Sequence, residues 1–590
     1  MRLPARDTRL LETWTCPLLW SHIRQTAGAQ TLVAKVHPIW GRPIDKYACS
    51  FTIESVIPES TTKSALNLAD VEILDKTRTT ILAISKIGAE EDSRKIKCLA
   101  QDVTLEMLGS VNDIASSRDS FPVLTDPQLV RGCIKLMLTV ASSKSKSASP
   151  FSYEYGYICF RILTISFGLC LAGEDVDAAL KAASVALGDS NYHPLRALAT
   201  VVASAVQSNV HMAPILSEKN VLDEGTLIIP PQEGLHLFNI LWGDRKLFLE
   251  AILSTYVPAL TGVLYMLWRL WRIGRQKSSD YDILLGVPLY EILRRYCLGV
   301  TRDQDRALSA LITDSQCMAD LWLHWSKILD AEDSKALLRG YIHRVKSPEI
   351  WHGGPSVLSL SAILEFVVRF AQPGTDEPYP QLFTETINFL WDEIDGDEQV
   401  EGDKIGNILY VFHCLVKLLD ELPNGMISTK RTLVEGLAES DLACFIAWLI
   451  VLRRSAMEKS QLERDRNQYL FATIRAFFDR LRKKIPRDIL MSSFNENLDD
   501  WMRYRDHLMC GGWDVWRGIT ESLEQDLKLH AIIDWPIECS YARCFHSSLM
   551  CGPRFICSGC GAAYCSSRCQ TMDWVYAHGG TEHKKKCTEC

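Results

Sequence analysis

Apolar residues recur with helical spacing along most of the chain. One stripe begins at Ile405 and advances in steps of three and one until Pro423 interrupts it, which is the pattern of an amphipathic helix that a proline ends. A second stripe begins at Leu470 and stops before Pro486. The stripes consist of Ile405, Ile408, Leu409, Phe412, Leu415, Val416 and Leu419, and of Leu470, Ile474, Phe477, Phe478, Leu481 and Ile485. Both segments are therefore predicted to be helices with one buried face.

The start of an earlier helix is marked by Asp126 and Pro127. Aspartate is a good N-cap, and proline suits the first helical position because its missing N–H would have no partner there. The apolar residues that follow share one face at helical spacing, and they are Leu129, Cys133, Leu136, Met137 and Val140. A run of serine and lysine at 142–149 is predicted to end this element.

These patterns predict a mainly α protein with three regions. Residues 1–120 are poorly defined, because prolines and polar runs break their apolar stretches. Residues 121–530 form an all-helical body, and residues 535–590 form a small cysteine-rich domain. Stacked helical hairpins of armadillo-like type would bury many apolar faces, but no fixed repeat period is visible, so an irregular helical bundle stays open.

One uncharged segment, Ala251–Trp268, approaches the length of a membrane span. Pro258 and Gly262 interrupt it, and other apolar helices flank it in the sequence, so a buried core helix is the better interpretation. Residues 1–20 mix charged with apolar side chains, unlike a secretory signal. We expect neither export nor a membrane partner.

The composition argues against two further classes of protein, disordered proteins and nucleic-acid-binding proteins. With 47% apolar and 23% charged residues, the 590-residue chain is globular rather than disordered. Its formal net charge of -8 argues against nucleic acid as a partner, because neutralising phosphates requires a surplus of lysine and arginine.

The 20 cysteines are unevenly distributed. Nine of them lie between Cys539 and Cys590. The others are scattered singly among apolar residues, as at Cys133, Cys159 and Cys414, where a thiol behaves as a small hydrophobic group. This usage is typical of a reducing compartment and predicts an intracellular protein, in the cytoplasm or the nucleus.

The C-terminal cysteines have the spacing of metal ligands. They form Cys-x4-Cys, then Cys-x2-Cys-x4-Cys-x3-Cys, then His-x3-Cys, so eight donors are available for two tetrahedral zinc ions. The candidate ligands are Cys539, Cys544, Cys557, Cys560, Cys565, Cys569, His583 and Cys587. A segment this short cannot bury enough apolar surface to offset its chain entropy, so we expect two Zn²⁺ ions per chain to fold it.

The same segment resembles a MYND-type zinc finger. The resemblance is carried by the cysteine pairs, the run Tyr564–Gln570, the dipeptide Asp573-Trp574 and the final His583-x3-Cys587. It implies two cross-braced zinc sites, one on Cys539, Cys544, Cys565 and Cys569 and the other on Cys557, Cys560, His583 and Cys587. Two features depart from the family pattern.

The first departure is the spacing of the first cysteine pair, which is four residues where two is commonest. The second is an insertion at 577–580 that contains a rival ligand, His578. The spacing of His583 to Cys587 fits a zinc pair and that of His578 does not, which favours His583.

MYND fingers bind short proline-rich peptides, and the resemblance assigns Gln570 and Trp574 to the peptide groove. Four residues apart on a helix, they would share a face, with an indole for a proline ring and an amide for the peptide backbone. Two alternatives stay open: Trp574 fills the core of the finger, or the finger is a purely structural cap. With thiolates and zinc counted, the finger is close to neutral, so we expect a protein partner rather than nucleic acid.

No catalytic motif is visible in the sequence. It contains no Gly-x-Ser-x-Gly elbow, no phosphate-binding loop and no His-Glu-x2-His helix. Some MYND proteins are lysine methyltransferases whose SET domain the finger interrupts, but here the finger lies at the end of the chain and no Asn-His dipeptide occurs. We therefore expect no enzyme, and a degenerate methyltransferase relative is the alternative.

A second, weaker resemblance concerns Ser149–Leu163. This segment is similar to one in uncharacterised fungal proteins that carry a C-terminal MYND finger on a long helical body, and it implies no activity. Its tyrosines are predicted to be core or loop contacts. The sequence as a whole predicts a zinc-binding protein-interaction protein, with transcriptional regulation as a candidate process.

Overall fold

The computed structural model describes most of the chain between residues 35 and 494 and parts of its C-terminal region. The described residues are 35–56, 68–142, 149–173, 193–212, 228–324, 330–346, 360–394, 402–423, 425–442, 445–446, 449, 461–494, 537–538, 548–549, 555–557, 562–564, 567–575, 583 and 587. The predicted linker at 142–149 lies largely outside this set.

The described part of the chain is mainly α, which confirms the mainly α class, whereas the zinc-stabilised finger stays a prediction. The helices are α1 (Ile44–Tyr47), α2 (Ile53–Val56), α3 (Leu68–Ala89), α4 (Ser93–Gln101), α5 (Leu105–Ile114), α6 (Phe121–Leu124), α7 (Pro127–Ala141), α8 (Glu154–Ala172), α9 (Pro194–Met212), α10 (Pro231–Gly243), α11 (Arg245–Ser254), α12 (Leu260–Lys277), α13 (Val287–Tyr296), α14 (Arg302–Asp314), α15 (Ala319–His324), α16 (Ala331–Lys346), α17 (Leu360–Val368), α18 (Tyr379–Ile394), α19 (Gly402–Glu421), α20 (Ile427–Glu439), α21 (Gln461–Lys484), α22 (Arg487–Phe494) and α23 (Ser567–Val575). Whether the helical body is an armadillo-like stack or an irregular bundle stays a prediction.

Shorter elements complete the description. The 3₁₀ segments are Ala48–Ser50, Arg118–Ser120 and Ser315–Met318, and Asp282–Gly286 is π-helical. The strands are two residues long and pair antiparallel, β1 (Ile537–Glu538) with β2 (Ser548–Leu549) and β3 (Phe555–Ile556) with β4 (Ala563–Tyr564). All four strands therefore belong to the cysteine-rich region.

The chain divides into two compact units. The first comprises Met1–Ala336 and Ser347–Leu358, and the second comprises Leu337–Lys346 and Ser359–Cys590. Residues 331–336 of α16 therefore belong to the first unit and residues 337–346 to the second. The hydrophobic pattern predicted a single helical body over 121–530 and did not indicate this division.

Helices α3, α4 and α5 lie within residues 1–120, where the sequence indicated no defined elements. The buried positions of α3 explain why it was missed. They include Thr77 and Thr80, which are 0% and 2% exposed, as well as Ile81, Ile84 and Ile87. Because threonine interrupts the apolar stripe, the periodic signal of the helix is weak.

The predicted helix start at Asp126 is confirmed. The carboxylate of Asp126 accepts a hydrogen bond from the backbone N–H of Gln128 at 2.9 Å, and Pro127 is the first residue of α7. The apolar residues of the predicted face, Leu129, Cys133, Leu136, Met137 and Val140, are all buried. The second oxygen of the Asp126 carboxylate accepts from the hydroxyl of Ser85 on α3, at 2.6 Å.

Helix α8 lies at the centre of the first unit. Every residue from Tyr155 to Leu169 is buried, and the helix packs against α5, α7, α9 and α12. Among the described residues it is the one helix long and apolar enough to cross a membrane, yet 83% of its apolar window is buried inside the protein. An apolar helix that is covered all round is what the core of a large unit requires.

The uncharged segment Ala251–Trp268 is buried, as expected, but it is not one helix. Helix α11 ends at Ser254 and α12 begins at Leu260. Pro258 cannot donate a backbone hydrogen bond, and Ala259 adopts a left-handed conformation with φ of 57°. The chain therefore turns between two core helices.

Helices α3 and α7 cross at a pair of glycines. A Cβ atom on Gly88 would lie 1.9 Å from the carbonyl oxygen of Gln128, and one on Gly132 would lie 2.1 Å from the carbonyl oxygen of Ile84. The two backbones approach this closely only because neither position carries a side chain. Lys135 of α7 adds a hydrogen bond to the carbonyl of Gly88, at 2.6 Å.

In the second unit, the two predicted stripes become the buried faces of α19 and α21, which pack against each other. Phe412 of α19 and Phe477 of α21 meet edge to face, with ring centroids 5.5 Å apart. The members of the stripes that are buried are Ile408, Phe412, Leu415, Leu419, Leu470, Ile474, Phe477, Phe478, Leu481 and Ile485. The predicted ends hold as well, since α19 stops at Glu421 and α21 at Lys484.

A buried ion-pair network joins α13 to the start of α16 in the first unit. Arg295 is 0% exposed and its guanidinium binds both carboxylate oxygens of Asp333, at 2.7 and 2.8 Å. The same guanidinium donates to one oxygen of Glu291, while the indole N–H of Trp322 donates to the other at 3.3 Å. Burial of charges is tolerated here because each has a partner.

We expect Arg295→Met to destabilise the first unit by about 3–5 kcal/mol, because it leaves two buried carboxylates without their shared cation. Urea denaturation followed by tryptophan fluorescence measures the loss. The matched control is Lys95→Met, which breaks an exposed pair with Glu90 and should cost less than about 1 kcal/mol. Equal losses in the two variants would contradict a structural role for the buried network.

Candidate metal centre

A short β-hairpin presents the first ligand of the site. Phe555 pairs with Tyr564 and Ile556 with Ala563, so β3 and β4 run antiparallel. The backbone N–H of Cys557 donates to the carbonyl oxygen of Ala562 at 2.8 Å and closes the loop between the strands. Cys557 follows directly on β3 and is 7% exposed.

Three potential metal ligands converge beside this hairpin. The ligand atoms of Cys557, His583 and Cys587 all lie within 4.8 Å of one another. The two sulfur atoms are 3.4 Å apart, which is longer than a disulfide bond of about 2.05 Å. Two thiolates on one tetrahedral zinc ion would be about 3.8 Å apart, since each Zn–S bond is about 2.3 Å. The cluster therefore has the composition and the size of a metal site.

Two side chains contact Nδ1 of the His583 ring. The hydroxyl of Tyr564 lies 2.7 Å from Nδ1 of His583, and a carboxylate oxygen of Asp573 lies 3.3 Å from the same nitrogen. The Tyr564 hydroxyl donates its one hydrogen to that carboxylate at 2.8 Å, so it accepts from Nδ1–H of His583. Because Nδ1 is engaged in this network, Nε2 is the nitrogen left for a metal ion.

Helix α23 carries Asp573 together with the two predicted peptide-binding residues. Gln570 is half-buried, and Trp574 is 38% exposed. The indole of Trp574 lies against the imidazole of His583, with ring centroids 5.4 Å apart. One helix therefore contributes both a support for the histidine and an exposed aromatic surface beside it.

The structure brings together three of the eight predicted ligands. Cys539, Cys544, Cys560 and Cys565 lie outside the described residues, and Cys569 is described only as part of the backbone of α23. The rival ligand His578 also lies outside them. The first zinc site, the fourth ligand of the second and the choice between the two histidines therefore stay predictions, although the described cluster contains His583.

Tyr564 and Asp573 are the site residues that the sequence did not assign. Both belong to the motif that resembles a MYND finger, but nothing in their spacing indicates that they hold His583, which is 19 and 10 positions away along the chain. Their role depends on how β4 and α23 pack, and on the position of His583 relative to both.

Cysteines elsewhere in the described chain differ from those of the cluster. Cys133 and Cys159 are completely buried among apolar residues, and burial raises the pKa of both thiols. Burial also raises the pKa of Cys414, to about 12. Such thiols stay protonated at neutral pH and do not act as metal ligands, which agrees with their interpretation as small hydrophobic groups.

No family model, no curated protein and no solved structure matches the chain in comparisons with known proteins. Two thiolates and an imidazole form a soft donor set that suits zinc, and a fourth thiolate from Cys560 would close the coordination shell as in structural sites. A closed shell leaves no position for a reacting water.

We expect Tyr564→Phe and Asp573→Asn each to weaken metal binding about 10–100-fold, because each removes a group that orients the ring of His583. Competition between the full-length protein and a chelator for Zn²⁺ measures the affinity. Thr571→Ala changes an exposed residue of the same helix and should leave the affinity unaltered. Unchanged affinity in both network variants would show that the network does not support the ligand.

Proposed function

We propose that this protein is a non-enzymatic protein-interaction protein, in which a helical scaffold carries a C-terminal MYND-type finger with two zinc ions. The finger recognises a short proline-rich peptide of a partner protein. The observation that carries the proposal is the convergence of Cys557, His583 and Cys587, residues separated by up to 30 positions in the sequence.

The convergence supports zinc as the metal and the cross-braced pairing as the ligand arrangement. Cys557, His583 and Cys587 are three of the four ligands that the MYND resemblance implies for one zinc ion. Each structural zinc site contributes on the order of 10–16 kcal/mol to folding in finger peptides. Metal is therefore what allows a segment with strands of two residues to keep a defined structure.

The exposure of Trp574 supports the peptide groove over the alternative that this residue fills the core of the finger. A side chain that fills a core is buried, whereas 38% of Trp574 is exposed beside the metal cluster. An exposed indole offers a flat surface for a proline ring. Gln570, one turn earlier on α23, supplies an amide that can bond the peptide backbone.

The donor chemistry and the cysteine usage support an intracellular role. Four protein ligands per zinc ion leave no catalytic position, and the scattered thiols favour a reducing compartment, the cytoplasm or the nucleus. Transcriptional regulation is the candidate process. The helical body would present the finger, with neither nucleic acid nor a membrane as its partner.

Elemental analysis of the purified protein should find two zinc ions per chain. We expect His583→Ala to lose or weaken one of them, because His583 is a ligand, and His578→Ala to keep both. One zinc ion or none in the wild type, or loss of zinc in His578→Ala alone, would contradict the assignment.

We expect Trp574→Ala to abolish binding of a proline-rich peptide, because it removes the surface on which the proline ring packs. The zinc content should stay at two ions per chain, because Trp574 contacts His583 but is not itself a zinc ligand. Gln570→Ala should weaken binding about two- to tenfold, as loss of one hydrogen bond does. Fluorescence anisotropy with a labelled peptide measures both effects. Retained binding in Trp574→Ala would exclude this face of α23 as the groove.

A further inference from the structure

A surface groove lies between α18 and α20 in the second unit. It has a volume of about 610 Å³. The two helices approach closely at Gly436, where a Cβ atom would lie 2.2 Å from the hydroxyl of Thr384, and Trp391 donates to the carbonyl of Ser440 at 3.0 Å. From Ser428 to Glu439, both of which line the groove, α20 advances about 16 Å at 1.5 Å per residue.

The charged residues that line this groove are all negative. Five carboxylates line it, and none of the described lining residues is a lysine or an arginine. Glu377 is paired with Arg339 at 3.2 Å, and Glu385 with Lys346 at 2.9 Å. The other three acids, Asp376, Glu435 and Glu439, have no ion-pair partner among the described residues. The groove therefore keeps a surplus of negative charge.

Asp376 is the residue that distinguishes this groove from an ordinary acidic surface. It lines the groove although it is only 3% exposed. In the described part of the chain its carboxylate makes no hydrogen bond and no ion pair, and only its backbone carbonyl is engaged, by the N–H of Tyr379 at 3.0 Å. This carboxylate is therefore available to pair with a cation that enters the groove.

We propose that this groove binds an extended segment of a partner protein that carries several lysines or arginines. A single metal ion fits less well, because among the described residues only Cys557, His583 and Cys587 bring their ligand atoms close together. Glu435 and Glu439 instead stand one turn apart on α20. A length of about 16 Å accommodates about five residues of extended chain at 3.3 Å each.

The groove also offers an apolar contact to such a segment. Met426 lines one end of it and is 46% exposed, and a flexible thioether packs well against the methylene stems of lysine and arginine. None of the residues that line the groove belongs to the cysteine-rich region, so the site would give the helical body a binding role of its own.

Fluorescence anisotropy with the full-length, zinc-loaded protein tests the proposal, with a labelled peptide of alternating lysine and serine as the probe. We expect saturable binding in low salt. The double variant Glu435→Gln/Glu439→Gln should bind about tenfold more weakly, since each exposed carboxylate contributes about two- to fivefold. Asp376→Asn should weaken binding at least as much, and all variants should keep their zinc and their circular dichroism spectrum.

The matched control is Asp392→Asn, which removes the same charge from an exposed position on α18 outside the lining of the groove. It should leave the affinity unchanged. An equal loss in Asp392→Asn would reduce the binding to diffuse attraction and overturn the proposal. Displacement of the peptide by spermidine, at an equal concentration of positive charge, would assign the groove to a small polyamine. If the peptide does not bind in low salt, the groove is excluded as a site for basic segments.

Discussion

The first unit depends on the requirement that helix α8 be covered on every side. Its residues from Tyr155 to Leu169 are all buried, so each neighbouring helix needs only one apolar face to complete the core. The single charged side chain within that stretch, Arg161, is accommodated because Asn112 and the carbonyl of Tyr256 accept its hydrogen bonds and the ring of Phe51 lies 5.6 Å from its guanidinium carbon. The burial of α8 thus accounts for the apolar faces of the neighbouring helices, and Arg161 accounts for the polar groups that lie next to it.

The C-terminal region, unlike the first unit, has no large apolar core among its described residues. Its strands are two residues long and its described helix has nine residues, so apolar burial alone cannot hold it. On a bound metal ion, Cys557, His583 and Cys587 would supply a different kind of stabilisation, in which a few strong bonds replace many weak contacts. Such bonding would not require the indole of Trp574 for a core, and Trp574 is exposed next to the cluster.

Local signals explain most of what could be predicted from the sequence. The cap of α7 depends on Asp126 and Pro127 alone, and the stripes of α19 and α21 depend on spacing within one helix, so these elements were readable. Helix α3 was not, because Thr77 and Thr80 occupy buried positions. The network of Tyr564 and Asp573 around His583, and the groove between α18 and α20, join residues far apart in sequence and follow only from packing. The division of the chain near residue 337 likewise has no local signal.

The glycine pair at the crossing of α3 and α7 also sets the register of these two helices. The backbones can meet only where Gly88 faces Gln128 and Gly132 faces Ile84, because a side chain at either position would collide with a carbonyl oxygen. A slide of one helical turn, about 5.4 Å, would bring larger residues into the crossing and push the helices apart. It would also separate Ser85 from Asp126 and Lys135 from the carbonyl of Gly88. The two glycines thus fix how far α3 and α7 can slide along each other.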